Sequence, residues 1–210
     1  MTHRSAGSFG TGVHWLSLMS ANNNSEVEIK FVVHDKDALV RSLQSAGFRE
    51  QTASTFEANT LYDLPSGNLR RAGEILRLRV YGDSWKLTHK SRGTAARHKT
   101  RVEHETAVAN GEEMHAILTA LGYLPAFRYE KYRSEWTDGT GEVVIDRTPI
   151  GDFAEIEGTP EWIDHTAKVL HVDPKDYITS SYAELFFRWK SRTGSDAHNM
   201  TFGETGTAHP

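Results

Sequence analysis

The chain has 210 residues, which is enough for one domain with a hydrophobic core, and its 28 acidic residues outnumber its 24 basic ones. A chain with this mild negative charge is not expected to bind nucleic acid or an anionic membrane, and no apolar run reaches the roughly 18 residues of a membrane span. The chain contains no cysteine, which excludes disulfides, thiolate metal sites and cysteine nucleophiles and suits a cytoplasmic location.

The two ends of the chain differ from its middle in composition. Residues 1–24 lack the basic and then apolar pattern of a signal peptide, and we predict a disordered leader in which Met19 is an alternative start. Residues 191–210 are polar, glycine-rich and without periodicity, which predicts a disordered tail. A single folded domain is therefore expected over residues 25–190.

Alternation of apolar and polar residues predicts eight β-strands in this domain. They lie near residues 26–33, 56–62, 74–81, 84–91, 101–108, 128–136, 142–147 and 153–157. Apolar stripes with capping residues predict four helices, over residues 36–47, 111–122, 159–170 and 180–190. In each half of the domain a charged, alternating strand leads into a helix that ends at a glycine, which indicates two similar half-barrels.

The first strand carries Glu26, Glu28 and Lys30 at every second position, with apolar residues between them. Successive side chains of a strand point to opposite faces, so one face of this strand is charged and the other is apolar. Six further strands alternate in the same way. Their charged faces carry Arg77 and Arg79; Lys86 and Lys90; Arg101, Glu103 and Glu105; Lys131, Arg133 and Glu135; Asp146; and Glu155 and Glu157.

Two arrangements explain seven charged strand faces. One is an open antiparallel sheet with a face in water, and the other is a closed barrel with its charged faces inside and helices outside. Acids and bases are segregated by strand here, which causes repulsion unless opposite charges lie beside them. We therefore favour the closed, eight-stranded antiparallel barrel of an α+β protein, with a water-filled lumen for a charged guest.

These residues resemble the CYTH, or triphosphate tunnel metalloenzyme, superfamily, which contains class IV adenylyl cyclases, thiamine triphosphatases and inorganic triphosphatases. Glu26-x-Glu28-x-Lys30 matches its ExExK signature, and "SYAELF" resembles its C-terminal helix, which closes one tunnel mouth. The other matching positions are Arg77 and Arg79, Lys90, Arg101 with Glu103 and Glu105, Lys131 and Arg133, Asp146, and Glu155 with Glu157.

The resemblance implies a role for each group of charges. Mg²⁺ or Mn²⁺ would be held by Glu26, Glu28, Asp146, Glu155 and Glu157, with Glu103 and Glu105 as further candidates. The triphosphate would be bound by Lys30, Arg77, Arg79, Lys90, Arg101, Lys131 and Arg133. Lys30, Lys131 and Glu28 are the expected catalytic residues. Hard divalent cations prefer oxygen ligands, and Arg and Lys are the usual partners of phosphate.

The resemblance leaves three functions open for a chain that is expected to be a monomer or a homodimer with a small-molecule triphosphate as partner. The first is a triphosphatase acting on inorganic, thiamine or nucleoside triphosphate. The second is a class IV adenylyl cyclase that forms cyclic AMP and pyrophosphate from ATP, and the third is a non-catalytic polyphosphate-binding module. The aromatic residues Tyr182, Phe186 and Trp189 are predicted to pack the C-terminal helix.

Overall fold

The computed structural model describes residues 25–209, and these residues form a closed antiparallel β-barrel. Its strands are β1 (Ser25–Val32), β2 (Arg49–Asp63), β3 (Ile75–Tyr81), β4 (Ser84–Lys90), β5 (Thr94–Ala95), β6 (Lys99–Val108), β7 (Leu124–Thr137), β8 (Glu142–Thr148) and β9 (Gly151–Glu157). Eight strands follow the order β1-β9-β8-β7-β2-β3-β4-β6, and pairing of β1 with β6 closes the ring. The two-residue β5 lies beside β6. The predicted eight-stranded barrel is confirmed.

Helices connect the strands and cover the barrel from outside. They are α1 (Lys36–Ser45), α2 (Asn68–Ala72), α3 (Gly111–Ala120), α4 (Pro160–Val169), α5 (Tyr182–Thr193) and α6 (Phe202–Thr205), with a 3-10 turn at Pro174–Asp176. The Asp35 carboxylate accepts a hydrogen bond from the Ala38 amide, and Thr159 caps α4 ahead of Pro160. The four predicted helices are confirmed. The short α2 and α6 were not predicted, because five and four residues show no periodicity.

The apolar faces of the strands point outward, where the helices pack on them. Ile29 of β1 and Ile156 of β9 are fully buried against Leu43 of α1 and Ile163 and Ala167 of α4. Burial of this apolar surface stabilises the closed barrel and obliges the alternate, charged side chains to point inward. Within residues 25–209, every helix is too short or too polar to cross a membrane.

The described end of the chain packs on the barrel, so the prediction of a disordered tail over residues 191–210 is wrong for residues 191–209. Helix α5 continues to Thr193, and Met200 and Phe202 are buried. The Met200 amide donates to the Arg128 carbonyl at 3.0 Å, so this segment lies along β7. Its few apolar residues are widely spaced and form no periodic pattern, yet Met200 pairs with the edge of β7 and packs in one cluster with Phe127 and Tyr129. The predicted leader, residues 1–24, lies outside the described residues.

Candidate active site

The barrel encloses a cavity of about 980 Å³, here called the tunnel, into which the charged strand faces point. All seven side chains predicted to bind triphosphate line it: Lys30, Arg77, Arg79, Lys90, Arg101, Lys131 and Arg133. Six of the predicted carboxylates also line it: Glu26, Glu28, Glu103, Glu105, Glu155 and Glu157. Helix α5 borders the tunnel through Tyr182, as expected of a helix at a tunnel mouth.

Two opposing parts of the tunnel have opposite charge. Neighbouring strands β1 and β9 carry Glu26, Glu28, Glu155 and Glu157, which we call the acidic wall. Strands β3 and β7, on either side of β2, carry Arg77, Arg79, Lys131 and Arg133, which we call the basic wall. The register places Glu28 opposite Glu157 and Lys30 opposite Glu155, and residues in such direct pairs share one face of a sheet.

Most carboxylates of the acidic wall are paired with cations from neighbouring strands. Glu26 accepts hydrogen bonds from Lys90 at 2.7 Å and from Arg101 at 3.0 Å. Burial alone would raise the pKa of Glu26, but the charges of Lys90 and Arg101 outweigh it and lower the pKa to about 2. Glu28 accepts a hydrogen bond from Lys99 at 2.8 Å. Glu26 is therefore ionised in the empty protein.

Glu155 links the two walls. It forms an ion pair with the buried Lys30 of β1, and Arg133 of the basic wall donates to its other oxygen at 2.5 Å. Burial opposes ionisation of Glu155, but the charges of Lys30 and Arg133 outweigh it and hold its pKa well below the usual range. Both partners of the Lys30–Glu155 pair therefore remain charged across the neutral pH range.

Glu157 differs from the rest of the acidic wall. It stays accessible to water, and within residues 25–209 no cation forms an ion pair with it. Partial desolvation by the wall, followed by the negative charges of Glu26 and Glu28, raises its pKa to about 8. A carboxylate in this position lacks a counterion and would gain one from a bound cation.

Asp146 was predicted as a metal ligand, but its side chain is fully buried and does not line the tunnel. One oxygen accepts from Arg133 at 2.7 Å, and the other accepts from Lys131 at 3.0 Å and from the Tyr182 hydroxyl at 2.5 Å. Both oxygens are thus engaged by the protein. In this geometry Asp146 orients two cations of the basic wall.

Three contributors were missed at the sequence level. Glu57 of β2 is fully buried beneath the basic wall, but a single charge in "FEANTLY" gives only a weak alternation signal. Lys99 precedes the predicted start of its strand at residue 101, although it has the same parity as Arg101 and Glu103. Tyr182 was predicted to pack the helix; its ring also lies 4.5 Å below the Lys30 ammonium and its hydroxyl binds Asp146.

The donor set suits a hard divalent cation, since the acidic wall offers only carboxylate oxygens. In the part of the chain that the structure describes, no three acidic or histidine side chains are already grouped closely enough to hold an ion. The ion pairs explain this, because Glu26, Glu28 and Glu155 each lean toward a Lys or Arg. The carboxylates of the acidic wall can hold a metal ion when their Lys and Arg partners pair with another anion instead.

The sequence of this chain is similar to those of known proteins. A family model described as "CYTH domain" matches residues 24–182. A curated protein of Methanocaldococcus jannaschii, named a "putative adenylate cyclase", is 28% identical over 171 residues, which cover 76% of this chain and 97% of that protein. The match therefore spans nearly the whole relative.

Solved structures share the fold. A "putative adenylate cyclase" from Vibrio parahaemolyticus has a TM-score of 0.69 at 22% identity, covering 77% of this chain and 97% of its own. A "putative adenylyl cyclase" from Hippeastrum, described as having a dominant triphosphatase activity, has a TM-score of 0.57 at 20% identity, covering 78% and 95%. At these identities the similarity shows the fold.

Proposed function

The chain belongs to the CYTH domain family, and from this membership we propose that it is a divalent-metal-dependent enzyme that hydrolyses a triphosphate held in its tunnel. The family contains adenylyl cyclases and triphosphatases, which share a triphosphate as substrate. Inorganic, thiamine and nucleoside triphosphates are the candidate substrates.

One observation carries the proposal: the seven Lys and Arg side chains predicted to bind triphosphate, which come from five strands, line a single tunnel. A linear triphosphate carries several negative charges in a row and can contact cations on many strands at once. A single phosphate is too short to do so. Arg pairs bidentately with phosphate oxygens and Lys acts as a point charge, so the set suits a polyanion of defined length.

The basic wall supplies orientation and charge stabilisation in the proposed reaction. Arg77, Arg79, Lys131 and Arg133 hold phosphate oxygens and fix the phosphoryl group in the orientation needed for attack by water. Water attacks the terminal phosphorus, the bond to the bridging oxygen breaks, and the shortened phosphate chain leaves. Negative charge that develops on the oxygens in the transition state is stabilised by the same cations.

The acidic wall is the proposed metal site, with Glu26, Glu28, Glu155 and Glu157 as ligands for Mg²⁺ or Mn²⁺. When bound, the metal neutralises phosphate charge and lowers the pKa of the attacking water. Asp146 is left out of this set, because its side chain is fully buried and does not line the tunnel.

Binding is proposed to exchange ion-pair partners. In the empty tunnel Lys90 pairs with Glu26 and Lys30 pairs with Glu155. Phosphate oxygens would take over these lysines, and the released carboxylates would become available to the metal. Triphosphate and metal should therefore each strengthen the binding of the other.

Adenylate cyclisation is the second candidate, favoured by the name of the Methanocaldococcus jannaschii relative. It needs the same phosphate-binding cations and the same metal ligands, with a ribose 3′-oxygen instead of water as the attacking group. The Hippeastrum protein has been described as both a putative cyclase and a dominant triphosphatase, so a cyclase name within this fold does not argue against hydrolysis.

The test is a product panel. The full chain is incubated with inorganic triphosphate, thiamine triphosphate or ATP and with Mg²⁺ or Mn²⁺, and phosphate, pyrophosphate and cyclic AMP are measured. We expect metal-dependent phosphate release, strongly reduced in Arg79→Ala and unchanged in Arg41→Ala, which alters an exposed arginine of α1. Cyclic AMP from ATP would establish the cyclase instead. Tight binding without any product would establish the polyphosphate-binding module.

A further inference from the structure

Beneath the basic wall lies a carboxylate that belongs to none of the motifs. Glu57 stands in the middle of β2, opposite Lys131 of β7 and Tyr81 of β3. Its side chain is fully buried and contributes nothing to the tunnel surface. We propose that Glu57 is a positioning residue that fixes where Lys131, Arg79 and Arg133 stand, a role that rests on the proposed binding of triphosphate by these cations.

Three cations from two strands approach this one carboxylate. Glu57 Oε1 lies 3.3 Å from Lys131 Nζ, and Oε2 lies 3.7 Å from Arg79 Nη1 and 4.0 Å from Arg133 Nε. All three cations line the tunnel, whereas Glu57 does not. It therefore acts on a guest only through them.

Glu57 attracts the two arginines without using their N–H donors. Within the described residues its Oε2 has no hydrogen-bond partner, and Arg79 Nε has none either. Asn59 Nδ2 donates to Oε1 at 2.8 Å and fixes the carboxylate from its own strand. Because the attraction to both arginines is electrostatic, Glu57 itself occupies none of their guanidinium N–H donors.

Glu57 is ionised at neutral pH. Burial would raise its pKa, but the charges of Lys131, Arg133 and Arg79 outweigh burial and lower it to about 2. Without this negative charge three like charges would repel one another at short range and separate. The tunnel would then become more positive and its cations less well placed.

These two consequences have opposite effects on binding and turnover. A more positive tunnel should hold a polyanion equally well or more tightly in the ground state. Displaced cations should stabilise the transition state less, since misplacement by about 1 Å can reduce a rate by roughly 100-fold. If Glu57 merely supported the fold, its loss would lower thermal stability without lowering kcat at an unchanged KM.

The experiment compares Glu57→Gln with Glu50→Gln, which removes an exposed carboxylate from the same strand. With inorganic triphosphate and Mg²⁺, we expect Glu57→Gln to lower kcat about tenfold or more, with KM unchanged or lower. In metal-free protein, the NMR signals of the Arg79 and Arg133 Nε–H groups should shift in Glu57→Gln and stay in place in Glu50→Gln. Kinetics and spectra that coincide in the two variants would overturn the proposal.

A second variant covers the case in which Glu57→Gln does not fold. Asn59→Ala keeps the charge but removes the hydrogen bond that fixes it, so a smaller fall in kcat at unchanged KM is expected, and wild-type kinetics would contradict the role. If the wild-type chain neither binds nor hydrolyses triphosphate, the proposed function fails on its own. The arginine spectra then still decide whether Glu57 holds the cations.

Discussion

Glu57 and Glu157 are carboxylates of one barrel with opposite surroundings. Glu57 lies beneath the basic wall, and the net effect of its cations is to lower its pKa to about 2. Glu157 lies in the acidic wall beside Glu26 and Glu28, and its pKa is raised to about 8. Among residues 25–209, the first carboxylate has its counterions, whereas the second lacks one.

The contrast shows how the charges of one tunnel are arranged: mostly paired on one side and partly unpaired on the other. On the β2 and β7 side, buried ion pairs are complete and hold the cations in place. On the β1 and β9 side, negative charge is left partly uncompensated. Fixed cations suit a substrate that must be oriented, and uncompensated carboxylates suit a metal that arrives with it.

The largest expected effect is a loss of stability on the β2 and β7 side, where the buried ion pairs are complete. Lys131 is buried between Glu57 and Asp146, so Lys131→Ala leaves two buried carboxylates with one cation fewer. We expect the free energy of unfolding to fall by about 3 kcal/mol, measured by urea denaturation of the empty protein. The control is Lys36→Ala, which alters an exposed lysine. Equal stability of the two variants would show that this side is not an ion-pair network.

On the acidic side the main effect should be on activity. Glu28→Gln keeps the shape of the side chain but removes a proposed metal charge, so turnover should fall by about 100-fold with folding intact. Titration with Mn²⁺ in the presence of triphosphate should show weaker metal binding. Glu50→Gln serves as the control on an exposed strand position. A wild-type rate together with wild-type metal affinity would contradict the assignment of Glu28.

The smallest effect is expected at Glu157 and depends on pH. Its folded-state pKa of about 8 exceeds the ordinary value of 4.5, so the empty folded protein binds this proton more tightly than the unfolded chain. Stability is therefore lost as pH rises from 4.5 to 8. Near pH 4.5, Glu157→Gln should have the same melting temperature as the wild type. Near pH 9 the variant should have the higher melting temperature, as measured by calorimetry without metal. A difference that did not change with pH would rule out this charge crowding.

Many tunnel-lining residues were predictable, because side chains at every second position of a strand point to the same face. Glu26, Glu28 and Lys30 alternate with apolar residues, and the structure points them inward as expected. The outward residues were predictable for the same reason, since Ile29 lies between the charges and packs on helices.

The remaining features depend on contacts between distant segments. Asp146 has the expected parity, yet the approach of Lys131, Arg133 and Tyr182 places it beneath the tunnel surface. Met200 lies in a polar segment whose pattern gives no sign that it pairs with β7. Such features arise from packing between elements, which a local pattern does not record.

The most direct test of the tunnel is a melting experiment on the full chain. Inorganic triphosphate with Mg²⁺ is expected to bind the folded barrel and not the unfolded chain, so at a hundredfold excess over its Kd it should add about 2.7 kcal/mol to stability and raise Tm. Chelator should remove most of that gain, because phosphate oxygens would then face the acidic wall without a metal. Monophosphate should add little, since it cannot span the cations of several strands. Melting curves that coincide for triphosphate, monophosphate and chelated samples would contradict the account of this barrel as a triphosphate tunnel.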